Sequence, residues 1–138
     1  MKIYILQPVI AQIGLMVALY IWLTVARTLA VRRGEVKYDA FVLGRSEPLR
    51  IARVTRNLAN QFELPVLFVG CVALLVALDA VTPFDVAMAW AFVAGRVAHM
   101  LVQTLTDNVP LRGQVFTLNF LAFLGIAAHL ALISVGLP

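Results

Sequence analysis

Apolar residues crowd into four long runs along this chain, and polar residues gather in the gaps between them. The runs cover roughly Leu6 to Ala30, Arg56 to Ala80, Phe84 to Thr106 and Phe116 to Leu137. A helix needs about 20 mostly apolar residues to cross the hydrocarbon core of a bilayer, and each run meets that length. The gaps hold the helix breakers: "RRGEVKYDAFVLGRSEP" after the first run, "DAVTPFD" after the second, "TDNVPLRG" after the third. Ser46 with Pro48 predicts a helix start before "LRIARVTRN", the serine as cap and the proline in the first turn. The second helix should therefore begin in water near residue 48 and enter the bilayer later. The pattern predicts an all-α fold: one integral membrane four-helix bundle over residues 1–138, without internal repeats.

Composition narrows this picture. The chain is 62% hydrophobic and 13% charged, with a mean hydropathy of +0.94. A soluble domain carries about a quarter charged residues, and a core this small cannot hide such an apolar excess. Lys2 and the apolar run behind it imitate a signal peptide. The run is too long for one, and a basic loop follows it instead of a small-residue cleavage site, so it reads as a retained span. The lone Cys71 lies in an apolar segment; no disulfide can form within the chain, and the residue reads as small packing.

Charge sets an expected orientation. Of 11 basic residues, eight fall between Arg27 and Arg56, whereas "DAVTPFD" has two aspartates and no base. The positive-inside rule then places the 31–50 loop and "TDNVPLRG" in the cytoplasm and both termini outside, as in a bacterial inner membrane. The net charge of +4 is mostly this topological signal. Its ordinary partners are membrane lipids with anionic headgroups, not nucleic acid.

Polar residues inside the spans are the candidate chemistry. Arg53, Arg56, Asn60 and Glu63 step by 3, 4 and 3, which puts them on one helix face within about 80°. Asn57 borders that face. Arg96, His99 and Gln103 repeat the spacing in the third run, and Asn119 lies two turns inside Arg112 in the fourth. A charge near the bilayer centre costs several kcal/mol, so such groups should converge on an interior pocket. Two readings stand side by side here. Glu63 and Arg96 can form a structural ion pair, with the amides as interhelical glue. Alternatively, one glutamate cannot neutralise Arg53, Arg56, Arg96 and Arg112, and the surplus cation wants an anionic guest held by guanidinium forks.

Other positions look plainer. His129 reads as a packing histidine; no Cys, Glu or second His stands near it in sequence, and no metal site is expected. Trp22 and Trp90 read as lipid-facing or packing aromatics, and Gln7 and Gln12 as partners of a neighbouring helix. Pro65 should interrupt the helix after Glu63 and free carbonyls for the pocket. Gly95 should let another helix approach beside Arg96.

At "RNLANQFELPVLF" the chain resembles the MAPEG family, the membrane-associated proteins of eicosanoid and glutathione metabolism, and among them the small bacterial members. The likeness rests on four spans, a basic first loop and an Arg-x-x-x-Asn-x-x-Glu series, here Arg56, Asn60 and Glu63. "GRVAHMLVQ" and the arginine of "PLRG" extend it. The resemblance implies a homotrimer binding glutathione between subunits in a cytoplasm-facing pocket. Arg56, Asn60 and Glu63 would then be the peptide-binding set, and the shared helix faces add Arg53, Arg96, His99 and Gln103 to the substrate-binding pocket. Arg27, Arg32 or Arg33 would add a contact from the first span, and Arg112 would stabilise the thiolate. Leu64, His99 and Gln103 stand where the family's enzymes have tyrosines. Pro65 follows Glu63 more closely than the family's proline does, and Arg112 is about two residues off its spacing from His99.

Three functions follow. One is a glutathione-dependent transferase or peroxidase acting on lipophilic small molecules from the bilayer. Another is a non-catalytic trimer binding an anionic metabolite or lipid headgroup. The third, a small efflux protein using Glu63, fits least, because an arginine-rich pocket repels cationic drugs.

Overall fold

The computed structural model describes residues 2–44 and 47–136. Within them the chain is helical throughout, with no strand. Helix α1 (Lys2–Arg32) is apolar around its whole circumference, as a helix facing lipid on one side and protein on the other must be. A short 3-10 segment, Tyr38–Gly44, lies in the basic loop. The second span is built in pieces: α2 (Leu49–Ala59), a 3-10 turn over Asn60–Phe62, and α3 (Leu64–Ala77). Helices α4 (Pro83–Leu105) and α5 (Val109–Ser134) complete the bundle. Four helical segments are long and apolar enough to cross a membrane, counting α2 and α3 as one. The protein is a multi-pass integral membrane protein.

The second span is not one helix, since Pro65 interrupts it as the sequence predicts. Pro65 has no N–H to offer the Gln61 carbonyl, and its ring would press on that carbonyl. The chain tightens to 3-10 geometry and breaks at Glu63, where φ is −96° and ψ −107°. The fourth helix begins at Val109 rather than 116, because Asn108 caps it by accepting from the Leu111 N–H at 2.9 Å and Pro110 suits its first turn. The expected cap Ser46 and the end of the fourth run at Leu137 lie outside the described residues; Pro48 precedes α2 without a side-chain cap.

Two apolar cores hold the helices together. One joins α1, α3, α4 and α5 around Ile5, Ile126 and the stacked rings of Phe68 and Phe92, 4.3 Å apart. The other seats Ile51 and Val54 of α2 against Leu19 and Leu23 of α1. Between them runs a buried amide chain. Gln12 donates to Gln61 at 2.9 Å, and Asn57 donates to the Thr104 hydroxyl at 3.0 Å and the Met100 carbonyl at 3.1 Å. In lipid these bonds align helices that have no water to drive them together. Ile10, Ile21, Leu67, Leu74, Leu118 and Leu121 stay exposed on the outside of the bundle.

Candidate functional site

The break in the second span shapes what lies beside it. Ending the helix at Asn60 to Phe62 leaves carbonyls without amide donors. Arg96 of α4 fills the need: its Nη2 donates to the Asn60 carbonyl at 3.1 Å. A cation at a helix C-terminus is favoured by the helix dipole as well. Arg96 is among the largest fully buried side chains of the protein, at 1% exposure. Gly95 allows it to sit there, since a Cβ at that position would come within 3.2 Å of the Asn119 Cβ on α5.

In front of Arg96 opens a pocket of about 220 Å³, lined by Arg56, Asn60, His99, Gln103, Arg112 and Phe116 with Gly113. A neighbouring pocket of about 260 Å³ shares Arg56, Gln103 and Arg112 and reaches Arg53 and Asp107. Both lie at the end of the bundle where the bases concentrate, called here the basic end. Asn60 donates to the Gln103 Oε1 at 3.0 Å, which fixes the two amides against each other. Arg112 sits in the first turn of α5, where unpaired backbone N–H groups add positive potential. Behind the lining, the Nε of Arg96, the Nδ1 of His99 and both amide atoms of Asn119 are buried without a hydrogen-bond partner among the described residues. Such groups cost about 1–3 kcal/mol each when left unpaired.

Six of the eight residues singled out from the sequence thus line the adjoining pockets: Arg53, Arg56, Asn60, His99, Gln103 and Arg112. Arg96 stands behind them. Glu63 does not join. The break at Glu63 rotates its side chain off the face it would share with Asn60 in a continuous helix. It is exposed and forms no ion pair among the described residues. The structural Glu63–Arg96 bridge is therefore absent.

The charge balance also changes. Arg53 pairs with Asp107, an acid the sequence reading left out of the count. Arg27 is engaged with Glu47 at 2.7 Å and Thr55 at 3.1 Å, and lies over the Phe41 ring. Arg56, Arg96 and Arg112 remain without an ion pair among the described residues. No acid lines the 220 Å³ pocket.

A second polar cluster, unforeseen in the sequence, lies at the opposite end. Asp85, fully buried, accepts from the Thr82 N–H at 2.8 Å and the Thr82 hydroxyl at 2.7 Å, forming a capping box at the start of α4. His129 Nδ1 meets its other oxygen at 2.8 Å. The signal was partly present, since Thr82 followed three residues later by an acid, with Pro83 between, marks a helix start. The histidine is 44 residues away, and no local spacing announces it. Among the described residues no group of metal-ligating side chains assembles.

A four-span membrane bundle with an arginine-rich amide pocket at its basic end is the class these observations define. A sequence model of the MAPEG family matches residues 5–132 of the 138, and the chain belongs to that family. No curated protein and no solved structure matches it significantly.

Proposed function

We propose that the protein is a glutathione-dependent transferase or peroxidase acting on lipophilic electrophiles that arrive from the bilayer. One observation carries this reading: Arg56 and Arg112, on two different helices, converge on an acid-free pocket that also presents Asn60, His99 and Gln103. Glutathione, a peptide with two carboxylates and a thiol, matches that set. A guanidinium grips a carboxylate through its planar fork, which is the role of Arg56. The Asn60 and Gln103 amides suit peptide groups. Arg112, aided by the α5 N-terminus, lowers the pKa of a nearby thiol and holds it as thiolate. The sulfur then attacks an electrophilic carbon, the carbon–sulfur bond forms, and the leaving group departs with its electron pair.

The active form in this proposal is a homotrimer with its pockets between subunits. Glu63 supports it: an exposed carboxylate within a span is costly against lipid, so that surface calls for protein cover. The basic end faces the cytoplasm by the positive-inside rule. Crosslinking in mild detergent should yield trimers, and a fully stable monodisperse monomer would sink the assembly.

The binder reading has its own observation. Tyr4 and Tyr20 lie exposed on α1 and Tyr38 in the basic loop, so no phenol lines the pocket. Ultraviolet difference absorbance of purified protein with glutathione, read beside a thermal shift, separates the two. The enzyme requires a thiolate signal at saturating glutathione. A thermal shift without thiolate assigns the site to a non-catalytic binder.

A further inference from the structure

Away from the pocket, α1 and α4 part along a groove open to the side of the bundle. Its upper portion has a volume of about 390 Å³ and runs from Arg33 and Arg50 down past Leu29, Leu105 and Trp22. Its lower portion, about 490 Å³, is lined by Ala11, Val93, Ala94, Val97 and Ala98 with Trp90 and Leu101. Leu101 and Leu105 are one turn apart, so the two portions adjoin. The small side chains of Ala11, Ala94 and Ala98 make the trough.

We infer that this groove is a binding site for one anionic glycerophospholipid, with its phosphate at Arg33 and Arg50 and an acyl chain lying between α1 and α4. Two independent matches support that occupant. The first is length. From Leu105 to Trp90 the groove follows fifteen residues of α4, about 22 Å, and one leaflet of hydrocarbon is about 15 Å deep. The trough is therefore long enough to take an acyl chain anchored at the mouth.

The second match is charge. Two guanidiniums stand at the mouth, and Glu35 pairs with both Arg50 and Arg33, the latter at 3.9 Å. The sum is one surplus positive charge, which a lipid with net charge −1 neutralises and a zwitterionic lipid does not. Arg33 follows directly on the end of α1 and Arg50 is the second residue of α2, so both guanidiniums sit at the basic-end termini of their helices. The groove is separate from the pocket of Arg56 and Arg112, and the inference does not rest on the thiol reading.

Trp22 reports on the groove. The chain has two tryptophans, so Trp90→Phe leaves Trp22 as the only tryptophan, excited selectively at the red edge where tyrosine does not absorb. The full-length protein is reconstituted in phosphatidylcholine vesicles containing, at equal bulk fractions, brominated-acyl phosphatidylglycerol or brominated-acyl phosphatidylcholine. Quenching should report roughly fivefold enrichment of the anionic lipid at the groove over bulk. The double variant Arg33→Gln, Arg50→Gln should reduce the two lipids to equal quenching; both side chains are largely exposed, so folding is not at stake. Ala94→Leu, an exposed position in the trough, should lower quenching by both lipids by filling it. Added inorganic phosphate should displace nothing. Equal quenching in the parent protein would overturn the inference, as would selectivity that survives the double variant. Absence of quenching by either lipid would also overturn it, and would assign the groove to a second copy of the chain. Retention of one phosphatidylglycerol per protomer through native mass spectrometry, lost in the double variant, is an independent readout in unmodified protein.

Discussion

The two ends of the bundle bury polar groups in opposite ways. At the acidic end Asp85 is completely buried, yet both of its oxygens are bonded, to Thr82 and to His129. No atom of that cluster is buried without a partner. At the basic end Arg96, His99 and Asn119 are as deeply buried, and each keeps an unpaired atom. Buried polar groups are normally hydrogen-bonded, so the two clusters differ in kind. A closed cluster needs nothing further and reads as architecture: it ties the start of α4 to α5. An open cluster behind a pocket lined by unpaired guanidiniums is built to be completed by something else.

The largest effect should come from breaking the closed cluster. Asp85→Ala removes the N-cap partner of α4 and the counterpart of His129 together. Loss of one partner of a buried pair costs about 3–5 kcal/mol, so the detergent Tm should fall steeply. Glutathione affinity, measured per folded molecule well below that Tm, should not change. A variant with wild-type Tm would show that the pair at 2.8 Å adds nothing to stability. A selective loss of ligand would move the functional site to this end.

Next in size is the chemistry assigned to the open end. Arg112→Ala should remove the thiolate signal and lower turnover by about 10²–10³-fold, the scale on which a single preorganised electrostatic group acts. Binding should weaken only modestly, because Arg56 and the amides remain. Arg56→Ala and Asn60→Ala should behave in reverse. Each should cost about 1–3 kcal/mol in affinity, the value of a hydrogen bond to a charged group plus the group left unpaired. The thiolate absorbance at saturation should survive in both. If all three variants lose affinity and thiolate in parallel, the division between gripping and activating groups is wrong.

How much of this contrast could be read from the chain depends on the range over which each signal acts. The four spans are legible because lipid demands a long apolar run whatever else the sequence does. Five of the eight site residues, Arg53, Arg56, Asn60, His99 and Gln103, are legible because spacing by 3 and 4 keeps each set on one face while its helix stays regular, and Arg112 is legible through the family resemblance. Glu63 escapes for the same reason turned around. Pro65 breaks the helix at Glu63, and any angle counted across a break is meaningless. The neutralisation of Arg53 escapes because its acid, Asp107, lies on the far side of two spans and is joined to it only by the fold. The Asp85–His129 pair and the Gln12–Gln61 bond are invisible for that reason too. Polar residues in a span announce that partners exist, and only the packing says which.

The smallest effect offers the sharpest test of the comparison. Asn119 is fully buried with both amide atoms unpaired, packed by its Cβ against Gly95. Leucine has nearly the same shape and no polar atoms to satisfy. Replacing an unpaired buried polar group by an apolar one of like shape is close to neutral or stabilising. Asn119→Leu should therefore leave ligand-free stability within about 1 kcal/mol of wild type, or above it, where Asp85→Ala loses several times that. The loss should appear only with ligand present. If the open cluster is completed by whatever enters the pocket, the variant should show a smaller rise in Tm on adding glutathione than wild type does. Should Asn119→Leu instead destabilise the ligand-free protein as severely as Asp85→Ala, the amide must already be satisfied in the empty protein. The basic end would then be as closed as the acidic one, and its buried polar groups would be architecture as well.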